Sequence, residues 1–344
     1  PDCCNSASPC SCGSEIKDTQ EYCGSASPCS SSTTLAEPDE YDEMSSLIPP
    51  LPLPLSTGIT VSDRFDHFLA RWGVNRSGHR KEPGLYTLGT PTPDSPVIVT
   101  ANYTLSVDAV RAALAGIDCY LLVLDTKGIN VWCAAGKGTF GTAELVRQIG
   151  KTGLAEIVHH RTLILPQLGA PGVSAHEVRR QSGFRVEYGP VRAKDLPEYL
   201  MTHRCTPEMR RVRFPLKDRA VLIPVELVHM LLYTGAAAVL LWILAGPLAA
   251  LAAVAAVLAG TVIFPLAMPF LPAKDYTVKG LTLGAAIAIP FAWAAVTKSP
   301  GPPYVGWVAA IGGMLSMSAV TAYLALNFTG ATPFTSRTGV RTEI

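Results

Sequence analysis

The chain has 344 residues, of which only 16% are charged while 48% are hydrophobic, and this length suits about two domains. The shortage of charge is local, because residues 230–273, 280–297 and 299–336 contain no Asp, Glu, Lys or Arg. A membrane-crossing helix needs about 20 apolar residues. These runs therefore exclude a wholly soluble protein.

The net charge of +1 combines three unlike zones. Residues 1–60 hold nine acidic residues and one basic residue, for a net charge of −8. Residues 61–224 have a net charge of +7, and residues 225–344 have a net charge of +2. We therefore predict an acidic tail, a basic globular domain and a membrane domain, in that order.

Residues 1–60 are predicted to be a disordered, cysteine-rich tail that ends in a proline-rich linker, because large apolar side chains are scarce there. Six of the nine cysteines lie in this tail, and a motif from Cys4 to Cys10 recurs from Cys23 to Cys29. Two interpretations stay open: incidental cysteines in a low-complexity tail, or thiols that capture a soft metal ion. The tail lacks an apolar run typical of a signal peptide, so we expect the next domain to lie in the cytoplasm.

Residues 61–203 alternate between short apolar strands and amphipathic helices. The predicted strands are Pro96–Thr100, Tyr120–Leu124, Leu163–Leu165 and Phe184–Tyr188, and the predicted helices are Asp63–Trp72 with Ser62 as its cap, Ser106–Leu114, Thr142–Ile149 and Ser174–Gln181. Such alternation predicts a Rossmann-like α/β domain with a mostly parallel sheet covered by helices. Ligands of these sheets bind beyond the carboxyl ends of the strands.

Residues 204–221 form a basic linker, which favours a cytoplasmic membrane anchor over a nucleic-acid site because a hydrophobic segment follows directly. An all-α transmembrane domain is predicted over residues 222–330, before a tail at 331–344. Its spans are predicted at Leu222–Leu244, Pro247–Leu271, Gly280–Val296 and Tyr304–Leu326. A fifth span is the alternative, because the sequence around Pro265–Pro272 is irregular. The charge pattern predicts a multi-pass protein of the cytoplasmic (inner) membrane with both ends inside.

The segment after the strand Tyr120–Leu124 contains the chemistry-bearing residues. A phosphate-binding loop is excluded at Gly136-Lys137, because Val131 and Gly138 occupy positions that need glycine and Ser or Thr. The dinucleotide-binding glycine pattern also fails here, since its glycines do not directly follow the strand. Cys133 then has two open interpretations: a thiol presented to a flat cofactor, or a buried and inert cysteine.

The run Asn130-Val131-Trp132-Cys133-Ala134-Ala135-Gly136-Lys137 resembles the cap-helix signature of the mercury-methylating corrinoid protein family (HgcA). Further similarity lies in residues 99–103, 124–129 and 163–173, and the resemblance covers about residues 60–344. The corrinoid domain of that family is similar to that of the corrinoid/iron–sulfur protein of the reductive acetyl-CoA pathway. The usual cobalamin motif Asp-x-His-x-x-Gly is absent from this sequence, which suits a sulfur-ligated corrinoid.

The resemblance implies a cobalamin-type corrinoid cofactor with Cys133 as the catalytic residue and the lower axial ligand of cobalt. The implied cofactor-binding residues are Asn130, Val131, Trp132, Cys133, Ala134, Ala135, Gly136, Lys137, Thr100 and Asn102. The implied reaction is an anaerobic, corrinoid-dependent methyl transfer to inorganic Hg(II), which forms methylmercury. A thiolate below cobalt would favour departure of the methyl group with its electron pair, as the electrophile Hg(II) requires.

The implied partners are a ferredoxin-like iron–sulfur protein (HgcB-type), as electron donor and Hg(II) carrier, and a methyl donor that is a methylated corrinoid or a methyl-folate. Membrane lipid is a further expected partner, and nucleic acid is not expected. Two alternatives are kept: a corrinoid methyl carrier with a different native acceptor, and a non-catalytic protein that traffics soft metal.

Overall fold

The computed structural model describes residues 51–75, 78–298 and 301–329. The predictions for the cysteine-rich tail before residue 51 and for the tail at 331–344 lie outside these residues. The described residues form a mixed α/β layer followed by a helical region. This architecture confirms the predicted fold class.

A six-stranded sheet is the centre of the α/β domain. Its strands are β1 (Leu53–Pro54), β2 (Gly84–Leu88), β3 (Val97–Ala101), β4 (Cys119–Leu124), β5 (Thr162–Leu165) and β6 (Arg185–Tyr188), in the spatial order β1-β2-β4-β3-β5-β6. Strands β3 to β6 run parallel, whereas β2 is antiparallel to β4. The sequence did not predict β1 or β2. Strand β1 contains Pro54 and lies at the edge, where a missing backbone donor is tolerated.

Helices cover both faces of the sheet. They are α1 (Val61–Arg71), α2 (Thr104–Ala113), α3 (Val131–Lys137), α4 (Thr142–Lys151), α5 (Leu154–Ile157), α6 (Ala175–Ser182), α7 (Leu196–Thr202) and α8 (Pro207–Arg210). One core packs under α3, α4 and α6, and a second packs under α2 and α7. Strand β3 serves both cores, since Val97 and Val99 face the first and Ile98 faces the second.

Helix α1 begins earlier than predicted, because Thr60 and not Ser62 is its N-cap. The amide of Asp63 donates to Thr60 Oγ1 at 3.2 Å, and the amide of Thr60 donates to Asp63 Oδ2 at 2.8 Å. This reciprocal pair is a capping box, and it requires a carboxylate three residues after the cap. Ser62 has Phe65 at that position and could not form it. Hydrogen bonds from the Thr60 backbone and from Arg111 lower the pKa of Asp63 to about 2.

The helical region begins with α9 (Leu216–Ala220) and α10 (Ile223–Ala245), continues through α11 (Pro247–Leu258), a π turn at Ala259–Ile263 and α12 (Phe264–Ala267), and ends with α13 (Tyr276–Lys298) and α14 (Pro303–Ala325). Within the described ranges, four segments are long and apolar enough to cross a membrane: Leu216–Ala245, Pro247–Ala267, Tyr276–Lys298 and Pro303–Phe328. This count confirms the four predicted spans. The second span ends at Ala267 and not at Leu271.

Arg219 belongs to the basic linker that the sequence predicts at residues 204–221. It is buried, and it donates to the carbonyl oxygens of Phe214 at 3.1 Å, Pro265 at 3.3 Å and Leu266 at 3.2 Å. Pro265 and Leu266 lie at the end of the second span. Arg219 thus connects the start of the first span to the end of the second.

Candidate functional site

The site lies at the carboxyl edge of the sheet, where the order of the strands reverses. From β3 the chain moves to β4 on one side, and β5 then lies on the other side of β3. Crevices at such switch points are the usual ligand sites of open α/β sheets. A cavity of about 300 Å³ lies here, lined by Thr100 of β3, Ile164 of β5, Ser106 of α2 and the segment Asn130–Trp132.

Helix α3 stands beside this cavity and is delimited by its own sequence. The side chain of Asn130 accepts a hydrogen bond from the amide of Cys133 at 2.9 Å, so Asn130 is the N-cap that its residue type favours. At the other end, Gly138 takes a left-handed conformation with φ of +83°, which glycine adopts without strain. The helix is therefore held to two turns.

The two faces of α3 have opposite roles. Val131, Ala134 and Ala135 are buried in the core, whereas Cys133, Gly136 and Lys137 are exposed. Residues three and four apart share a helix face, so the thiol, the glycine and the lysine lie together. A Cβ added to Gly136 would meet no heavy atom within 4 Å. The thiol of Cys133 is thus presented on an open surface.

The other described cysteines have different environments. Cys119 is fully buried in β4, and burial raises the pKa of its thiol to about 12. Cys205 is half-buried, and its pKa is also raised by burial. Among the described residues, Cys133 is therefore the exposed thiol. This exposure rejects the interpretation of Cys133 as a buried, inert cysteine.

Asn102 fixes the loop that leads into α3. Its buried Oδ1 accepts hydrogen bonds from the Thr126 amide at 3.1 Å, the Thr126 hydroxyl at 2.8 Å and the Gly128 amide at 3.0 Å. The Thr126 hydroxyl also donates to the carbonyl of Ile129 at 2.6 Å. Asn102 thus stabilises the turn from β4 to α3.

A glycine-containing loop after β5 supports α3 from behind. A Cβ at Gly172 would lie 2.2 Å from the carbonyl oxygen of Phe140 and 3.0 Å from the Cα of Ala135. A Cβ at Gly169 would lie 2.5 Å from the ring of Phe140. Sequence analysis did not assign a role to these glycines. The sequence feature that could have indicated them is the high density of glycine and proline in the segment that follows Leu165.

The structure divides the predicted cofactor residues into three groups. Thr100, Asn130, Val131 and Trp132 line the cavity, and Cys133, Gly136 and Lys137 form the exposed face of α3. Asn102, Ala134 and Ala135 are buried, with exposed fractions of 1%, 0% and 5%, and they hold the loop and the helix in place.

A corrinoid fits this arrangement only if most of it lies outside the cavity. A volume of 300 Å³ is at the small end for a drug-sized ligand, and a corrinoid is larger. The exposed face of α3 leaves the thiol of Cys133 accessible, so this thiol could hold the part of a cofactor that lies outside the cavity. The described residues contain no group of three or more His, Cys, Asp or Glu side chains suited to hold a metal ion. A single exposed thiol such as Cys133 could supply one ligand to a metal held within a cofactor.

The segment that contains this site matches a known protein family. Residues 73–200 match the family CdhD, described as the CO dehydrogenase/acetyl-CoA synthase delta subunit. The matched segment contains β2 to β6 and α3, with Cys133 inside it.

Similar proteins include gamma subunits of the acetyl-CoA decarbonylase/synthase complex. The subunit of Methanopyrus kandleri is 39% identical over 128 residues, which are 36% of this chain and 27% of that protein. The subunit of Methanocaldococcus jannaschii is 40% identical over 121 residues, 35% of this chain and 24% of its own length. This chain thus spans about a quarter of these relatives. The matches support the corrinoid cofactor that the sequence predicts.

Proposed function

We propose that this chain is a membrane-bound corrinoid methyl carrier in which the thiolate of Cys133 is the lower axial ligand of cobalt. The observation that carries the proposal is the exposed thiol of Cys133, set on an open helix face at the ligand edge of the sheet. The match of residues 73–200 supports a corrinoid methyl-transfer role in general. The four candidate spans support attachment to a membrane.

The residues around Cys133 act by holding its sulfur at a fixed place. Val131, Ala134 and Ala135 anchor α3 in the core, so the helix cannot turn its exposed face away. Asn130 fixes the first turn through the Cys133 amide. Lys137 lies one turn further on the same face and is suited to bind the amide or phosphate edge of the cofactor. When bound, the corrinoid supplies a cobalt-held methyl group for transfer.

For the acceptor we propose inorganic Hg(II), which would make the protein a mercury methyltransferase. Hg(II) is an electrophile and must receive the methyl group with its electron pair. A thiolate donates more electron density than an imidazole, and Cys133 would provide such a donor below cobalt. The similarity of residues 130–137 to the mercury-methylating family supports this acceptor. A different native acceptor is the second candidate, favoured by the similarity to the acetyl-CoA decarbonylase/synthase subunits.

The proposed setting is the cytoplasmic side of an inner membrane. Lys274, between the second and third spans, and Lys279, in the first turn of the third span, support this orientation by the positive-inside rule. A ferredoxin-like iron–sulfur partner would return electrons to the site and bring Hg(II), and a methylated corrinoid or methyl-folate would supply the methyl group. These partners are what the family resemblance implies, and an iron–sulfur protein is a chemically suitable source of the electrons.

The proposal is tested with the full-length chain in anaerobic membranes that also hold the iron–sulfur partner, a methyl donor, a reductant and Hg(II). We expect methylmercury from the natural protein and none from Cys133→Ala, because alanine fits the helix and removes only the sulfur. The visible spectrum of the bound corrinoid should also change in Cys133→Ala. Cys119→Ala is the matched control and should retain both the spectrum and the activity.

Three outcomes separate the alternatives. An unchanged spectrum and rate in Cys133→Ala would reject sulfur ligation. A sulfur-dependent spectrum with no methylmercury, but with turnover of the methyl group by another acceptor, would reject mercury and keep the methyl carrier. Purified protein without cobalt, from cells rich in corrinoid, would favour a trafficking protein.

A further inference from the structure

Helix α1 presents its apolar face outward. Val61, Phe65, Phe68 and Trp72 are 84%, 61%, 52% and 40% exposed. Their spacing of four, three and four residues places them in one line along the helix. We call this line the outward stripe. A helix on the surface of a soluble domain normally turns such a stripe toward the core.

The opposite face of α1 is polar and is attached to the domain by an ion pair and a hydrogen bond. Asp63 Oδ2 lies 2.8 Å from Arg111 Nη2, and His67 Nε2 lies 2.7 Å from Asp108 Oδ2. Arg111 and Asp108 are almost fully buried, and they pair with each other at 2.6 Å. Such contacts fix the rotation of α1 about its axis. The outward stripe is therefore held away from the core by the charges beneath it.

The position of α1 places the outward stripe beside the first membrane span. A Cβ at Gly73, directly after the helix, would lie 3.2 Å from Cγ2 of Val225 in the first turn of α10. Phe68 and Trp72 line a cleft together with Val221 and Pro224 at the start of that span. The stripe thus continues the apolar surface of the span at the level where the chain enters the membrane.

The charges beside the stripe suit a lipid surface. Arg64 and Arg71 are exposed on α1, seven residues apart and thus on one flank of the stripe. Aromatic rings at the headgroup level with arginines reaching the phosphates are typical of helices that lie in a membrane interface. We propose that α1 is an in-plane membrane anchor whose outward stripe enters the headgroup region of a bilayer that contains anionic lipid.

Photo-crosslinking can identify what contacts the outward stripe. The full-length chain is placed in lipid nanodiscs containing a zwitterionic and an anionic phospholipid, with the photo-reactive residue p-benzoylphenylalanine at position 65 or 68. This residue replaces phenylalanine closely, so the fold is retained. Position 179, an exposed residue of α6, is the matched control. We expect lipid adducts at 65 and 68 that exceed those at 179 on the order of tenfold.

The arginines provide a second readout. Arg64→Gln and Arg71→Gln should each lower the anionic share of the adducts by up to about fivefold, without lowering total adduct formation. Adducts to a second copy of the chain, or to an added partner protein, would overturn the proposal, since the stripe would then be a protein interface. Lipid adducts at 65 and 68 no more abundant than at 179 would overturn it as well.

Discussion

Helices α1 and α3 are both short, both lie at the periphery of the α/β domain, and each leaves one face uncovered. Helix α3 buries Val131, Ala134 and Ala135 and exposes one thiol among small or flexible neighbours. Helix α1 does the reverse, because it buries its charged side and exposes a line of large apolar side chains. The difference teaches that the same amphipathic periodicity serves two purposes. In α3 the buried apolar face fixes the position of one sulfur atom, whereas in α1 the exposed apolar face provides a surface for contact.

The two helices also differ in how they are held. Attachment of α1 relies on a few ion pairs around Arg111, whereas α3 relies on close packing against the loop that contains Gly172. Loss of one buried charge should therefore affect α1 strongly. Loss of packing space should instead affect α3 and the position of Cys133.

The largest effect is expected for Arg111→Met, which removes the cation between Asp63 and Asp108. Asp108 would remain buried with the ring of His67, at 2.7 Å, as a hydrogen-bond partner but without its cation, and such losses cost about 3–5 kcal/mol. The measurement is thermal unfolding of the full-length protein in detergent, with proteolysis near residues 56–60 as a local readout. Arg147→Met, which breaks the exposed Glu144 pair, should cost about 1 kcal/mol or less. Equal effects of the two variants would contradict the ionic attachment of α1.

A smaller effect is expected for Gly172→Ala. The added Cβ would meet the backbone of Phe140 and Ala135, and relief of such overpacking costs about 1–3 kcal/mol. Because the shift reaches α3, corrinoid retention should fall together with stability. Gly150→Ala, at an exposed helical position with nothing within 4 Å, should instead be neutral or slightly stabilising. Normal corrinoid content in Gly172→Ala would show that the loop does not position α3.

The smallest effect is expected for Asn130→Ala, which removes the cap of α3 and costs about 1 kcal/mol. Ser174→Ala removes the cap of α6, at a similar expected cost and away from Cys133. Unfolding measurements should therefore give similar losses of stability for the two variants. The corrinoid spectrum should distinguish them, because only Asn130→Ala loosens the turn that contains the thiol. A spectral change in Ser174→Ala of equal size would contradict this assignment.

Local sequence predicted most of the parallel sheet, because β3, β4 and β5 are short apolar runs whose strand character does not depend on distant partners. It also predicted the four spans. Strand β2 was missed because Gly-Leu-Tyr-Thr-Leu lacks a clear alternation and gains its order from pairing with β4. Spacing alone could place Phe65, Phe68 and Trp72 on one side of a helix, but not decide which way that side faces.

The candidate site was likewise predicted in part from the sequence and in part only from the structure. The resemblance of residues 130–137 to a cap-helix signature implied a helix with one thiol, whereas the exposure of Cys133 depended on how α3 packs on the core. The support from Asn102 and Gly172 came from contacts between segments that are distant in sequence. Such contacts have no local sequence pattern. The reactive residue is therefore easier to predict from sequence than the residues that position it.

The contact of Arg219 with the carbonyl oxygens of Pro265 and Leu266 has a consequence for biogenesis. The two carbonyls are synthesised more than 40 residues after Arg219, on the far side of two membrane crossings. The guanidinium can reach them only after the second span has returned to the side from which the first one entered. Formation of these two hydrogen bonds therefore marks completion of the first helical hairpin. In a chain that fails to insert its second span, the guanidinium of Arg219 would keep only the carbonyl of Phe214 as an acceptor.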